Sequence, residues 1–229
     1  MLHRHLSIKL VVASLVSEVS SYRSIVFERP KNFVYEAGDW IDIESAGRYL
    51  QGGQTYSLSS SPLDAHLMIT FREGLSPLKR ALGSAKPGDE WVITQYGNAY
   101  DFRLREHKSS MLIAGGVGIA PFRSMLKEAF EQRTKNYIHL IYLNQTEDFL
   151  FKEDLDVWAG ALPNLKITYI VTKEFGRSKR EKLLASLIGD VGQQFYVAGP
   201  PGMVNSAIHL LKSRGVQDRN IKMDSFDGY

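Results

Sequence analysis

The stretch Met111–Pro121, MLIAGGVGIAP, constrains this chain more than any other. Met111–Ala114 is a short apolar run of the kind that forms a buried strand. Gly115, Gly116 and Gly118 follow, and Pro121 opens a helical pattern that runs to Gln132. Pro121 suits a first helical position, where its missing N–H is not needed. Strand, glycine turn and helix make half of a nucleotide-binding unit. The glycines let backbone N–H groups approach a phosphate, and the helix start supplies partial positive charge. The turn departs from G-x-G-x-x-G, which needs glycine where Pro121 stands. A second stretch repeats the logic at Phe195–Met203, FYVAGPPGM, where an apolar strand ends in Gly199, Pro200 and Pro201 before a helix over Met203–Lys212. Two strands ending in glycine turns place both loops on one edge of a parallel sheet, where such folds bind ligands. Ile119, Ala120 and Pro121 beside the first turn, and Met203 beside the second, are therefore candidate cofactor contacts.

The chain before this stretch has a different texture. Leu6–Val16, Ser24–Phe27, Trp40–Glu44, Thr55–Ser59, Leu67–Arg72 and Glu90–Thr94 read as strands separated by turn clusters. Such spacing predicts a small antiparallel barrel. One helix, Ser76–Leu82, interrupts it and starts on a Ser-Pro cap. Beyond the polar link REHKSS, strands at Met111–Ala114, Tyr137–Leu143, Lys166–Val171, Gln194–Ala198 and Ile221–Met223 alternate with helices at Pro121–Gln132, Phe149–Ala159, Ser178–Leu187 and Met203–Lys212. That alternation predicts a five-stranded, doubly wound parallel sheet. The expected architecture is α+β with two domains: a barrel over residues 1–106 and an α/β domain over 107–229.

The 229 residues include no cysteine, which excludes disulfides, thiolate iron–sulfur ligation and cysteine zinc sites. Redox chemistry in such a chain needs a bound organic cofactor. A net charge of +3 falls short of a dedicated nucleic-acid binder, so no nucleic-acid partner is expected. The six histidines are scattered without an i,i+4 pair, so no metal site is expected; His139 reads as a satisfied core residue. His3-Arg4-His5 before an apolar run loosely suggests a signal peptide, but Lys9 interrupts the run and a first strand is the better reading. No run reaches ~18 apolar residues, so no membrane span is expected, and the chain is expected to be cytoplasmic.

A barrel before a doubly wound domain, with GGVGIAP and GPPGM at the strand ends, resembles the ferredoxin–NADP reductase superfamily. Within it the chain looks most like the small, stand-alone bacterial flavodoxin/ferredoxin reductases. The clearest match is QTYSLSSSP at Gln54–Pro62, similar to the flavin signature R-x-Y-S-x-x-S. ITFREGLSPLKRAL resembles the flavin-phosphate segment, KPGDE precedes the last barrel strand, and YGNAY falls where the family leaves the barrel. The resemblance covers essentially the whole chain, with the motifs in order. It implies FAD in preference to FMN, NADH or NADPH as substrate, hydride transfer to flavin N5, and electrons leaving singly.

By resemblance, Tyr56 packs on the isoalloxazine and Ser57 hydrogen-bonds near N5, with Leu58, Ser59 and Ser60 beside them. Read without it, Tyr56 is an inward barrel aromatic and Ser57 a strand hydroxyl. Gly74, Leu75 and Ser76 fall where relatives place donors against flavin phosphates, and the helix they precede suits an anion in its own right. The C-terminal IKMDSFDGY offers Phe226 first, then Tyr229, as the aromatic that covers the flavin. Tyr56, Ser57 and Phe226 would thus act at the reacting ring.

The departures are specific. The signature arginine is Gln54, which loses a charge-assisted contact to phosphate; Arg72 or Arg48 would compensate. Ala114 and Ala198 stand where relatives often carry Cys or Thr near the nicotinamide. After the second α/β strand the chain reads Asn144-Gln145-Thr146-Glu147-Asp148, and two acids there favour NADH over a 2′-phosphate, unless Arg177, Lys179 and Arg180 fold back. With no iron–sulfur or haem domain fused, the expected partner is a separate ferredoxin, flavodoxin, oxygenase component or small acceptor, served by a monomer. The alternative is a catalytically degenerate flavin or nucleotide module, or a redox sensor. A short-chain dehydrogenase is disfavoured: its Tyr-x-x-x-Lys occurs as Tyr169–Lys173, on a predicted strand where that class needs a helix.

Overall fold

Alternation of apolar and polar residues builds the first sheet. In the computed structural model the described residues are 7–46, 49–52, 54–98 and 100–226. They form two compact units: residues 7–98 with Ala120–Glu128, and Tyr100–Ile119 with the described residues from Ala129 onward.

The first unit contains β1 (Ile8–Ser17), β2 (Tyr22–Glu28), β3 (Trp40–Ser45), β4 (Thr55–Ser57), β5 (His66–Arg72), α1 (Pro77–Gly83) and β6 (Glu90–Gly97). Leu10, Val12, Ile25, Phe27, Ile41, Ile43, Leu67, Ile69, Phe71, Trp91 and Ile93 supply the inward face, two residues apart on each strand as the pleat requires. The sheet runs β4-β3-β6-β1-β2-β5, every pairing antiparallel. An antiparallel bridge between Leu58 and Ile69 closes it onto itself as a barrel. Register shifts at Val12/Ser14 and Asp42/Ile43 mark irregularities of the kind that bend closed sheets. Ser76 caps α1, whose Leu78 and Leu82 enter the barrel core. β6 runs three residues past its expected end because Tyr96 and Gly97 still pair with Ile41 and Trp40.

The second unit carries β7 (Ser110–Gly115), β8 (Ile138–Asn144), α3 (Lys152–Ala161), β9 (Leu165–Val171), α4 (Arg177–Leu187), β10 (Gln194–Gly199), α5 (Pro201–Ser213) and β11 (Ile221–Ser225). β7 and β10 are buried along their whole length, as parallel strands covered on both faces are. The sheet order is β11-β10-β7-β8-β9, all parallel. One face packs Met111, Ile113, Ile141, Phe195 and Val197 against Leu183 and Leu187 of α4 and Val204, Ala207 and Leu211 of α5. The chain order reverses between β7 and β10, which is the switch point of such sheets.

Three helix starts shift by two or three residues. Helix α2 spans Ile119–Glu131 because a single 3₁₀ turn, Gly116–Gly118, runs straight into it. Pro121 is therefore its third residue, still within the first turn whose N–H groups lack intrahelical partners. α5 begins at Pro201 rather than Met203, with Pro200 as its cap. α3 begins at Lys152 rather than Phe149 because Phe151 takes a left-handed φ of 62°, while Phe149 and Leu150 are buried. Among the described residues no helix is long and apolar enough to cross a membrane.

Candidate flavin and nucleotide sites

Gln54–Ser61 leaves β4 and crosses to β5, and that path decides what each side chain does. Tyr56 sits opposite Ile41 in the barrel wall, and its ring meets Phe71 edge-on at 6.3 Å. Ser57, opposite Trp40, is buried. Leu58, Ser59 and Ser60 are expected at the cofactor, but their side chains turn inward. Leu58 makes the closing bridge and is fully buried. The Ser59 hydroxyl donates to the Met68 carbonyl at 3.1 Å and meets Thr70 Oγ1 at 2.9 Å, which in turn reaches Ser24 Oγ at 2.8 Å. Ser60 Oγ accepts from the Met68 N–H at 3.0 Å and meets Tyr35 Oη at 2.9 Å. The physical cause is barrel closure: the segment must satisfy its polar groups against β5 as it crosses.

Two polar atoms in the same segment are left over. Gln54 Nε2 and Tyr56 Oη are buried with no hydrogen-bond partner among the described residues. Burial also pushes the Tyr56 phenol well above its ordinary pKa. A buried unsatisfied donor costs about 1–3 kcal/mol, and these two stand two residues apart, Gln54 just before β4 and Tyr56 within it. They fit a flavin there, as the Q-T-Y-S resemblance requires.

The phosphate segment lies close by. The Leu78 N–H donates to the Gln51 carbonyl at 3.2 Å, fastening residues 51–54 to the start of α1. Gly52, at φ 151°, has Ser76 Oγ only 2.9 Å from where a Cβ would stand. The Ser76 hydroxyl accepts from the Lys79 N–H at 3.3 Å, so it serves as a cap. The Leu75 side chain is exposed, and Arg72 Nε donates to Ser21 Oγ at 3.3 Å. A Cβ at Gly74 would meet Lys79 Cδ at 2.7 Å, so the lysine stem lies across that glycine. Arg48 and Tyr229 lie outside the described residues.

Sequence reasoning missed the residues that hold this segment from behind. Within the first unit, Arg123 Nη1 donates to the Ser59 carbonyl at 2.7 Å and Ser124 Oγ to the Ser60 carbonyl at 2.6 Å. Lys127 pairs with Asp64. Asp39 accepts from the Glu36 N–H and from Asn98 Nδ2, both at 2.9 Å, tying the turn before β3 to the end of β6. Burial raises the Asp39 carboxyl above its ordinary range against the Asn98 hydrogen bond. No local sequence signal marks contacts of this separation.

In the second unit the two glycine turns meet at the ends of β7 and β10. A Cβ at Gly118 would stand 2.2 Å from the Ala198 carbonyl oxygen. Gly199, at φ 148°, would place one 3.0 Å from the Gly115 oxygen, and Gly115 would meet Met203 Cε at 2.7 Å and Pro200 Cδ at 3.3 Å. Gly116 has φ 55°, and its carbonyl accepts from Tyr142 Oη at 3.1 Å. Ile119, Ala120 and Pro121 are buried. Ala114 and Ala198 are register partners, so the two small residues stand side by side below the glycines. The Phe226 N–H donates to the Gly199 carbonyl at 3.2 Å, placing Phe226 at the same carboxyl edge. Pro201 starts α5 beside Pro200.

After β8, Asn144 Nδ2 donates to the Thr146 and Asp148 carbonyls at 3.2 and 2.9 Å, folding the loop so that Gln145, Glu147 and Asp148 are exposed. Lys179 Nζ lies 5.2 Å from the centre of the Phe175 ring. Tyr169 lies on β9, not on a helix, and its hydroxyl donates to Asp156 at 2.7 Å, which removes the dehydrogenase reading of Tyr169–Lys173.

Residues 112–209 match the oxidoreductase NAD-binding domain family. The chain is 26% identical over 222 residues to the toluate 1,2-dioxygenase electron transfer component of Pseudomonas putida, covering 92% of this chain and 64% of that protein. It thus spans less than two thirds of that relative's length. Its fold is similar to a cytochrome P450 reductase from Amycolatopsis (TM-score 0.81, 19% identity, covering 96% of this chain and 69% of that one). It is also similar to a ferredoxin–NADP+ reductase from Neisseria gonorrhoeae solved with FAD and NADP (TM-score 0.79, 17% identity, 97% and 99% coverage). Residues 112–209 thus match an oxidoreductase NAD-binding domain, and the barrel, the sheet order and the two glycine turns give the chain the two-domain fold of the ferredoxin–NADP+ reductases.

Proposed function

We propose that this protein is a flavin-dependent reductase that takes electrons from NAD(P)H and passes them to a separate one-electron carrier. The observation that carries the reading is the pair of buried, unpartnered donors, Gln54 Nε2 and Tyr56 Oη, in the strand that resembles the flavin signature. Bound FAD supplies hydride acceptance at N5 and release of electrons one at a time. The barrel unit holds it: Tyr56 and Ser57 line the ring, and Gly74 and Ser76 lie toward the phosphates. Arg123 and Ser124 fix the strand behind, so that β4 presents Tyr56 and Ser57 from a rigid wall. The α/β unit holds the nicotinamide nucleotide over Gly115, Gly116, Gly118 and Gly199, where backbone approaches a phosphate unobstructed by Cβ atoms. Ala114 and Ala198 leave room for the ring, and Phe226 closes that edge.

NADH is the preferred nucleotide in this reading. The Asn144 amide is spent on its own loop, and Glu147 and Asp148 face solvent where a 2′-phosphate would arrive. The acceptor is a ferredoxin, a flavodoxin, an oxygenase component or a small acceptor; the likeness to a dioxygenase electron transfer component supports an oxygenase partner. The protein works as a cytoplasmic monomer.

Anaerobic titration of the flavin-supplemented protein with NADH, and separately NADPH, tests this through flavin absorbance. Rapid bleaching at lower NADH than NADPH is expected. Bound flavin that neither nucleotide reduces would overturn the reductase reading in favour of a degenerate binding module.

A further inference from the structure

We infer that helix α2 makes nucleotide and flavin bind cooperatively: a nucleotide phosphate on the Gly115–Gly118 turn orders the helix start, and Arg123, Ser124 and Lys127 carry that order to the flavin segment. The inference rests on the flavin and nucleotide readings above and makes these three residues positioning residues whose effect on flavin depends on the nucleotide.

α2 is one helix over Ile119–Glu131. Its residues Ala120–Glu128 belong with the barrel, while the Gly116–Gly118 turn that runs into it belongs with the parallel sheet. The link between turn and helix is the chain itself. Ser124 stands six residues past Gly118, about 9 Å along a helix axis.

Within the first unit the helix grips one short segment. Arg123, Ser124 and Lys127 fall within about 100° of the helix circumference, so they form one face. Arg123 Nη1 donates to the Ser59 carbonyl at 2.7 Å, and the fully buried Ser124 Oγ to the Ser60 carbonyl at 2.6 Å. Lys127 pairs with Oδ1 of Asp64, whose Oδ2 accepts from the Ser61 N–H at 2.9 Å. Three consecutive residues, beginning two after Ser57, are thereby tied to α2. Tyr35 Oη donates to the Ser61 carbonyl at 2.6 Å, so the barrel holds the same stretch as well. The order of this segment thus depends in part on how well α2 is held.

The start of α2 is the end with most freedom to lose. Three of residues 115–118 are glycines, and Gly116 has φ 55°. Among the described residues no side chain caps the Gly116–Gly118 turn, and no acid lies in the first turn of α2. Glycine-rich backbone is entropically costly to fix, and the first N–H groups of a helix have no intrahelical acceptor. A phosphate accepting from those groups bears the ordering cost. A second ligand then meets a segment already ordered, which is a source of positive cooperativity without any new contact. Linkage requires flavin to tighten nucleotide binding by the same factor.

The test measures the FAD dissociation constant of the full chain by quenching of flavin fluorescence, without ADP-ribose and with ADP-ribose at saturation. ADP-ribose has the phosphates of the nucleotide and lacks the nicotinamide, so ring stacking on the flavin contributes nothing. FMN is titrated in parallel because it has no ADP half to compete for the turn. ADP-ribose binding is followed separately by calorimetry. The proteins compared are the wild type, Arg123→Gln, Arg123→Lys, Ser124→Ala and Gln132→Ala, each checked for folding by circular dichroism. In the wild type ADP-ribose should tighten both flavins roughly 5- to 20-fold. Ser124→Ala and Arg123→Gln should bring that factor close to one. Arg123→Lys should keep most of it, and Gln132→Ala, exposed just past the helix, should keep all of it. A wild type that binds both ligands without coupling overturns the inference. So does an unchanged coupling factor in Ser124→Ala, the mildest substitution, which decides the matter even where Arg123→Gln does not fold. Flavin affinity lowered equally with and without ADP-ribose would give these residues a structural role alone. A wild type that binds no flavin overturns the flavin reading, and one that binds no ADP-ribose the nucleotide reading, which keeps those failures apart from loss of coupling.

Discussion

Gly118→Ala tests the nucleotide site where it has least room. A methyl group there would stand 2.2 Å from the Ala198 carbonyl oxygen, 2.5 Å from its carbon and 2.7 Å from Gly199 Cα. Ordinary contact begins at 3.4 Å, so the two chains must part by about 1.2 Å. All three atoms belong to the backbone of β10, which is paired to β7 on one side and β11 on the other. No side-chain rotation relieves the clash. Overpacking that side chains can absorb costs about 1–3 kcal/mol, so at least ~3 kcal/mol is expected here. That corresponds to roughly 12 °C or more in melting temperature for a unit of about 100 residues. The same displacement moves the Gly115–Gly118 turn, so NADH affinity should fall at least ~100-fold if the turn cradles its phosphates. Urea denaturation and NADH titration of the variant give both numbers. Gly160→Ala in α3 is the control: no atom lies within 4 Å of its Cβ position, and it should stabilise the protein by about 0.5–1 kcal/mol through helix propensity. If Gly118→Ala matched the wild type in both stability and NADH affinity, the backbone-on-backbone crossing would not exist as described.

Two further substitutions probe the same unit. Tyr142→Phe removes the hydroxyl that donates to the Gly116 carbonyl; it should cost about 1–2 kcal/mol in urea denaturation and raise the KM for NADH while kcat is nearly unchanged, because the turn binds ground state and transition state alike. His139 is buried, with Nε2 2.9 Å from Thr168 Oγ1, and burial, then Lys166, lower its pKa below 6.5. The unfolded chain then binds a proton more readily than the folded one, so His139's contribution to stability is full above pH 6.5 and is lost as pH falls from there toward its lower folded value. Urea midpoints measured between pH 7.5 and 5 should therefore drop less in His139→Gln than in the wild type; equal slopes would refute the linkage.

Much of the fold was legible because two periods and a few glycines carry it. Ile41 and Ile43, or Leu67, Ile69 and Phe71, announce strands with one face inward. The wholly apolar runs at Met111–Ala114 and Phe195–Ala198 announce strands buried on both faces. Boundaries failed where backbone geometry overrode residue preference. Pro121 looked like a helix start because proline favours that place, yet the Gly116–Gly118 turn is itself helical and moves the start to Ile119. Phe151 gave no sign of its left-handed φ.

The serine run at Ser57–Ser61 shows why a matched motif and a contact list are different things. Its spacing resembles a flavin signature, yet Ser59 and Ser60 direct their hydroxyls to Thr70, Met68 and Tyr35. Their carbonyls are taken by Arg123 and Ser124, 64 residues away in the chain. A short strand that closes a barrel has few partners of its own, so its polar groups must be satisfied by whatever packs behind it. Small hydroxyl residues meet that demand with little volume, which makes serine suitable at these positions whether or not a cofactor is near. What closure leaves unsatisfied is then the informative remainder. In this segment the remainder is Gln54 Nε2 and Tyr56 Oη, at two of the signature positions. Ser59 and Ser60, whose polar groups are satisfied as the barrel closes, and Gln54 and Tyr56, whose donors closure leaves over, are thus different members of one motif.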